Sequence, residues 1–280
     1  MRRAANCAAA GITQPFSSNI VEFTIPITVA GNPDLENEVA DSWTLGAVIQ
    51  PRFLPRFALT IDWIEIALNN AIVTLGSEQT LEACYDAPDF PNQFCNAVTR
   101  DPAGQITTIQ TGFANAASFD FRGLTTSLNW TLPLPAGLGT NPRLILNGNY
   151  LYIDRLQQRV GTGDVNVLRG GIGNSKHQAT ASATFATDPF SWQVQAQYLS
   201  SATFDPNEPA GTRDPRGVGD WWLFNTSLNW NINDRLGLRF IVNNVFDRNP
   251  PFPVPAGGGT TTYFSGILGR NFRVGASVKF

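Results

Sequence analysis

His177 is the only histidine among the 280 residues, so any Ser-His-Asp or Cys-His arrangement for nucleophilic chemistry has to be built on that one imidazole. It sits beside Lys176 at the start of an alternating stretch, where a lone histidine reads as an exposed loop residue rather than a base. Cys84 and Cys95 bracket ACYDAPDFPNQFC, a polar, proline-containing segment, and two thiols so placed fit a disulfide in an oxidising compartment. A metal centre is the rival, but four ligands are usual and His177 is far away in sequence. Cys7 has no evident mate, and an odd cysteine in an exported chain implies a partner in sequence outside this one. Asp205, Glu208, Asp214 and Asp220 lie with Arg213 and Arg216 in a long segment that could meet a cation, although a solvated loop of mixed charge accounts for them as well. Asp86 and Asp89 carry the same ambiguity. GTGDVN, 161–166, is glycine-rich yet lacks the Lys-Ser/Thr of a phosphate loop. No catalytic constellation, metal set or cofactor motif results, and a non-enzyme is expected.

The elements that would position any site are strands. The chain carries a net charge of −3, which gives no nucleic-acid footprint. Hydrophobic residues make up 42% and the mean hydropathy is −0.10, values shared by soluble proteins and by membrane barrels, whose strands wet one face. No run approaches the roughly 18 apolar residues of a spanning helix. Nor does a signal peptide follow Met1, which suggests that the chain is part of a longer product.

The last segment, Gly266 to Phe280, shows the pattern most clearly. Phe272, Val274, Ala276, Val278 and Phe280 alternate with Asn271, Arg273, Gly275, Ser277 and Lys279, the period of a strand with one apolar and one wet face. A long strand at the very end of a chain is a bare edge in a soluble sandwich, whereas in a closed membrane barrel it pairs with the first strand. Upstream, Phe190, Trp192, Val194, Ala196 and Tyr198 oppose Ser191, Gln193, Gln195 and Gln197. Trp222, Phe224, Leu228 and Trp230 oppose Asn225, Ser227 and Asn229, and Leu238, Phe240 and Val242 oppose Arg239 and Asn243. Further strands are expected at Asp41–Gln50, from Phe57 through a tail that also fits a helix, as one long kinked strand from Gln105 to Trp130, at Arg143–Arg155 and at His177–Thr187. Residues 1 to 38 read as a surface loop with at most a short strand near Val21–Val29, and about Leu75 to Gly104 reads as a loop holding the cysteine pair. Trp43, Trp130, Trp192, Trp221 and Trp230 gather near strand ends, as interfacial girdles do.

Connections alternate in length. Short ones fall at 51–56, 131–142, 187–189 and 231–235; long ones at about 75–104, 156–175, 204–220 and 247–267. Short turns on one side and long loops on the other are the build of outer-membrane barrels. With a periplasmic carboxyl terminus, the count is nine strands and the amino terminus lies outside the cell. An odd count is the tail of something larger, because single-chain bacterial barrels have an even number.

Four stretches resemble the carboxyl-terminal half of a TonB-dependent outer-membrane receptor. GNPDLENEVADSWTLGAVIQPRFLPRFALTIDWIEI (31–66) resembles that family's approach to a descending strand and the following ascending one. ASFDFRGLTTSLNW (117–130), LGLRFIVNNVFDRNPP (236–251) and LGRNFRVGASVKF (268–280) resemble its trGvd/e strand, its N-L-F-D segment and its closing strand. In the last, Arg273, Gly275, Val278 and Phe280 match the signal that the outer-membrane assembly machinery recognises.

The resemblance implies an all-β fold: about nine antiparallel strands of a larger, 22-stranded up-and-down transmembrane barrel. Residues 1–40 would be an extracellular loop region and 41–280 the carboxyl-terminal part of the barrel, with the plug domain and TonB-binding segment outside the chain. It further implies the outer membrane of a Gram-negative bacterium and active uptake of a scarce, bulky nutrient: siderophore-iron, cobalamin or a glycan. Partners would be outer-membrane lipid, the barrel assembly machinery, an unidentified nutrient ligand, and the TonB complex only through the absent plug region. Gln193, Gln195, Gln197, Asn225, Asn229, Arg239 and Asn243 would face the lumen, as ligand contacts or as hydrated wall. A small stand-alone porin-like barrel or adhesin, and a soluble secreted β-sandwich, are the competing classes.

Overall fold

The computed structural model describes residues 2–12, 15–21, 24–161, 164–251 and 266–279. After helix α1 (Arg2–Ala9) come strands β1 (Ile27–Ala30), β2 (Val39–Ile49) and β3 (Phe57–Leu75), then helix α2 (Ser77–Tyr85). Strands β4 (Val98–Arg100), β5 (Ile106–Pro133), β6 (Arg143–Val160), β7 (Asn166–Val167), β8 (His177–Ala186) and β9 (Phe190–Leu199) follow. The chain ends with β10 (Ala202–Thr203), β11 (Gly217–Val218), β12 (Trp221–Asn231), β13 (Leu236–Asn243) and β14 (Asn271–Val278).

The main sheet runs β14-β13-β12-β9-β8-β6-β5-β3-β2, nine strands in sequence order, with β1, β4 and β7 pairing off the path. The ends of the path, β2 and β14, are not joined to each other, so the sheet stays open. β14 stops at Val278, Lys279 still donates to the Arg235 carbonyl, and Phe280 lies outside the described residues. The tail of β3, which had also fitted a helix, is strand to Leu75. β5 is a single strand of 28 residues, where about 9–11 tilted residues cross a bilayer core.

The register fixes which side chains share a face. Across β8, β9 and β12, Ala183, Val194 and Thr226 stand opposite one another, as do Phe185, Trp192 and Leu228. On the other face Ser182, Gln195 and Asn225 form a row, and Thr184, Gln193 and Ser227 the next. The apolar face is the open one. Trp192 is 49% exposed and Val274 72%, whereas Gln193, Gln195 and Gln197 are half-buried. A sandwich core would show the reverse.

Contacts group the chain into two units. One comprises Met1–Ser42, Ile66–Asp120 and Gln157–Val167; the other Trp43–Glu65, Phe121–Leu156 and Leu168–Phe280. In the first, the expected loops contain regular structure: α1 lies within 1–38, and α2, a 3-10 turn at Gln93–Ala97 and β4 lie within 75–104. These elements hold one another through tertiary contacts. Cys84 and Cys95 are disulfide-bonded, and Ile12, Cys84 and Tyr85 form a buried cluster against which Cys7, Phe16 and Phe94 pack. Cys7 itself carries a free thiol. Arg3 makes a hydrogen-bonded ion pair with Asp86, which holds that carboxyl below the usual carboxylate range, and the Asn6 amide donates to the carbonyls of Tyr85 and Ala87. Gly112 on β5 is required by the parallel β1: a Cβ there would stand 2.3 Å from the Ala30 carbonyl oxygen.

The disulfide closes a short loop, sequence separation 11, and a loop of that length stabilises by about 3 kcal/mol through chain entropy. Cys84→Ser/Cys95→Ser is therefore expected to speed amide exchange across 77–97 while leaving 177–199 protected. Equal loss in both segments, or none in either, would show that the bridge does not stabilise this unit by itself.

Candidate functional site

The wet face of the second unit carries every polar residue singled out from the alternation. Asn225 donates to the Gln195 side-chain oxygen at 3.2 Å, Gln193 to Thr184 Oγ1 at 3.2 Å, and Asn229 to Ser191 Oγ at 3.3 Å. Arg239 stands opposite Asn229 and, on its other side, Gly275. Asn243 donates to the Asn271 side-chain oxygen at 2.9 Å. Two of these bonds join amide to amide and two join amide to hydroxyl, so neighbours along the ladder supply partners for part of the row. Arg273 and Gly275 lie on this same face, and Val278 on the apolar one.

Two hollows open from this face. One of about 490 Å³ spans β5, β6, β8 and β9, with Ser127, Asn149, Thr180 and Gln197 at its polar side and Trp221 at its end. A second of about 270 Å³ brings Gln197, Asn225 and Asn243 together with Asn244 and Asn271. Amides and hydroxyls in these numbers can donate and accept hydrogen bonds but supply no nucleophile, general base or metal set. Among the described residues no group of three or more His, Cys, Asp or Glu could hold a metal ion.

Asn244 was missed by alternation because it follows the end of β13, in the left-handed conformation at φ 53°. It is 1% exposed. Its backbone N–H donates to Asn225 Oδ1 at 2.9 Å, its side chain donates to the Arg248 carbonyl at 2.9 Å, and its Oδ1 accepts from the Arg248 N–H at 2.8 Å. Asp247, also left-handed at φ 52°, accepts from the Arg270 N–H at 2.7 Å. The Asn-x-x-Asp spacing is thus a lock on the turn that leaves β13, and Asn tolerates that backbone with little strain.

Two expectations are corrected here. Trp221 is not part of a girdle: it is 2% exposed, shares the face of Leu223 and Asn225, and packs with Ala202 and Val218 while the Arg248 guanidinium lies 4.9 Å from its ring. Parity is the reason, since its neighbour Trp222, 43% exposed, takes the apolar face. His177 is not an exposed loop residue. It opens β8, is half-buried, stacks with Tyr152 at 5.1 Å, and its Nδ1 lies 2.7 Å from the Tyr150 hydroxyl.

The 204–220 segment holds itself together. Arg213 pairs with Glu208 at 2.9 Å and lies over Phe204, Arg216 donates to the Glu208 carbonyl, and Asp220 accepts from Tyr198 and Ser201. Of the glycine-rich 161–166, residues 162 and 163 lie outside the described residues.

A family model described as TonB dependent receptor-like, beta-barrel, matches residues 9–245. Among solved structures, the ferric enterobactin receptor PfeA in complex with BCV-L6 is similar at TM-score 0.61 and 16% identity, covering 91% of this chain and 33% of that one. The siderophore receptor PirA from Acinetobacter baumannii is similar at TM-score 0.60 and 14% identity, over 90% of this chain and 33% of that one. The outer membrane transporter YddB from Escherichia coli reaches TM-score 0.60 at 12% identity, over 92% and 35%. The chain therefore spans about a third of the length of the structures it matches. A search of curated proteins gave no match.

Losing the buried Asn244 side chain removes both of its hydrogen bonds to the Arg248 backbone in a partly exposed turn, at a cost of about 1–2 kcal/mol. Asn244→Ala is expected to lower the urea midpoint of the detergent-folded chain, and Asn243→Ala, with its single partly buried amide bond, to lower it much less. Equal shifts would rule out the lock.

Proposed function

The chain belongs to the TonB-dependent receptor family through its β-barrel, and on that premise we propose that it forms nine strands of the wall of an outer-membrane importer for iron–siderophore chelates. Members of the family are transporters, not enzymes, and reside in the outer membrane of Gram-negative bacteria. The single observation that supports the wall assignment is the face inversion: Trp192, Val194 and Trp222 are open to the surroundings while the glutamine row opposite is half-buried. Such a sheet is stable where its outer side meets lipid.

The remaining strands of the wall, the plug and the TonB-contacting segment are supplied by sequence outside this chain. The open edges at β2 and β14 and the one-third coverage of the matched structures both support that reading. The polar row, Gln193, Gln195, Gln197, Asn225, Asn229, Arg239 and Asn243, lines the lumen in this arrangement. Arg273, Gly275, Val278 and Phe280 serve as the contact for the assembly machinery. Iron chelates lead the cargo classes because PirA and PfeA are siderophore and ferric enterobactin receptors by name; cobalamin and glycans are the alternatives. A stand-alone pore is the second functional reading, and the open sheet disfavours it.

The cargo is tested by titrating the vesicle-folded chain with ferric siderophores, cobalamin and oligosaccharides and following tryptophan fluorescence. Saturable quenching by a ferric chelate supports the reading; a response only to cobalamin or to glycans overturns the cargo assignment. Orientation is tested by two lysines. Val194→Lys on the apolar face should cost about 2–4 kcal/mol in vesicles, as a lysine facing mid-bilayer does, and Gln195→Lys next to it little. Equal penalties, or the reverse order, would falsify the lipid-facing assignment.

A further inference from the structure

The modest net charge of −3 hides a segregation that appears only when the two contact units are counted separately. Met1–Ser42, Ile66–Asp120 and Gln157–Val167 contain four Lys/Arg against twelve Asp/Glu, a net of −8. The rest of the chain contains fifteen against ten, a net of +5. The acidic unit is most one-sided around β1: from Ala4 to Pro51 no Lys or Arg accompanies Glu22, Asp34, Glu36, Glu38 and Asp41. Glu38 accepts from the Ile72 N–H, whereas Asp34 and Glu36 are exposed and outside every ion pair among the described residues.

β1 itself is an open edge. Ile27 stands opposite Ile109 and Val29 opposite Thr111, and the Ile109 N–H donates to the Pro26 carbonyl at 3.3 Å. In a parallel ladder that pattern turns the main-chain groups of Thr28 and Ala30 towards β5 and those of Ile27 and Val29 away from it. β5 is the only strand paired with β1 among the described residues, so the outward groups have no strand partner. Exposed edges are normally blunted by Lys, Pro or a bulge, and Ile-Thr-Val-Ala has none of these. Val29 is instead 76% exposed, and Phe113, two residues beyond Thr111 on the same face, 53%. Beside them lies a cleft of about 310 Å³ with Asp34, Thr111 and Phe113 in its lining and no Lys or Arg among the described residues.

We propose that this edge docks an extended basic polypeptide segment, which adds as a further strand beside Ile27–Ala30. Its main chain pairs with Ile27 and Val29, and its apolar side chains cover Val29 and Phe113. One Lys or Arg enters the cleft towards Asp34 while another meets Glu36. A row of peptide groups at strand spacing calls for another main chain, not for a lipid. The field of a net −8 unit selects the charge of that chain. It draws cations and disfavours a second copy of this protein, whose own β1 is flanked by the same carboxylates. The wall reading above enters only in putting this surface outside the cell, and the docking does not depend on the cargo.

The experiment uses the full chain folded in zwitterionic vesicles and two fluorescently labelled peptides, one alternating valine with lysine and one valine with glutamate. The lysine peptide is expected to bind at least about tenfold tighter and to slow amide exchange at 27–29, with a gap that shrinks as salt rises from about 20 to about 300 mM. Val29→Pro removes an outward N–H while sparing the bonds to β5, and should remove peptide binding; protection of 77–97 checks its fold. Asp34→Lys/Glu36→Lys should close or reverse the gap between the two peptides. Equal binding of the two peptides overturns the charge selection. Lysine-peptide binding that leaves exchange at 27–29 unchanged, or that survives Val29→Pro, overturns the edge. Self-association of the chain that Val29→Pro abolishes overturns the basic partner in favour of a second copy. The wall assignment stands or falls separately, on Val194→Lys against Gln195→Lys.

Discussion

Backbone hydrogen bonding between antiparallel strands forces residues opposite each other onto the same face, and a slip of one residue sends a whole strand's side chains to the wrong side. Five consecutive ladders, β6–β8, β8–β9, β9–β12, β12–β13 and β13–β14, keep that parity without a break. Leu144, Phe185, Trp192, Leu228, Phe240 and Val274 consequently form one apolar stripe across six strands. No single pair in the stripe contributes much; its worth lies in being continuous. A wall needs an unbroken apolar side more than it needs any particular residue on it. That is why Gly148 and Ala181 sit on the same face, two rows from Trp192, without penalty to the pattern.

The same parity explains features that look unrelated. Trp221 and Leu223 obey the ladder and so point to the wet face, where they would be a liability if water reached them. Instead Ala202 and Val218 from the β10–β11 hairpin close over them, and Arg248 caps Trp221. Arg248 in turn is placed by Asn244, whose backbone N–H is anchored on Asn225, a member of the polar row. The row is therefore more than hydrated wall at that end. It is the base on which a loop-side hydrophobic cluster and the β13 exit turn are both built, so packing in the loops is coupled to register in the wall.

Strand number, order and facing were legible because a period of two survives in the residue types themselves. The alternation of Phe190–Tyr198 against Ser191–Gln197, and the length contrast between connections, need no tertiary information. Helices α1 and α2 were not legible. Their stability comes from the Cys84–Cys95 bridge, the Arg3–Asp86 pair and the Asn6 contacts across about eighty residues, none of which leaves a periodic trace in so short a segment. His177 and Trp221 differ from expectation for a related reason: the environment of each is set not by its neighbours in sequence but by its partner across the ladder, Tyr152 for one and Leu199 for the other.

Charge behaves differently from pattern. A sum over the sequence averages it away, and only the contact map restores it, because the acidic unit is assembled from three separated stretches. The acidic side chains of 1–42, 66–120 and 157–167 act as one source of field only once tertiary contacts gather those stretches, so the effect belongs to the folded unit and not to any one segment of it.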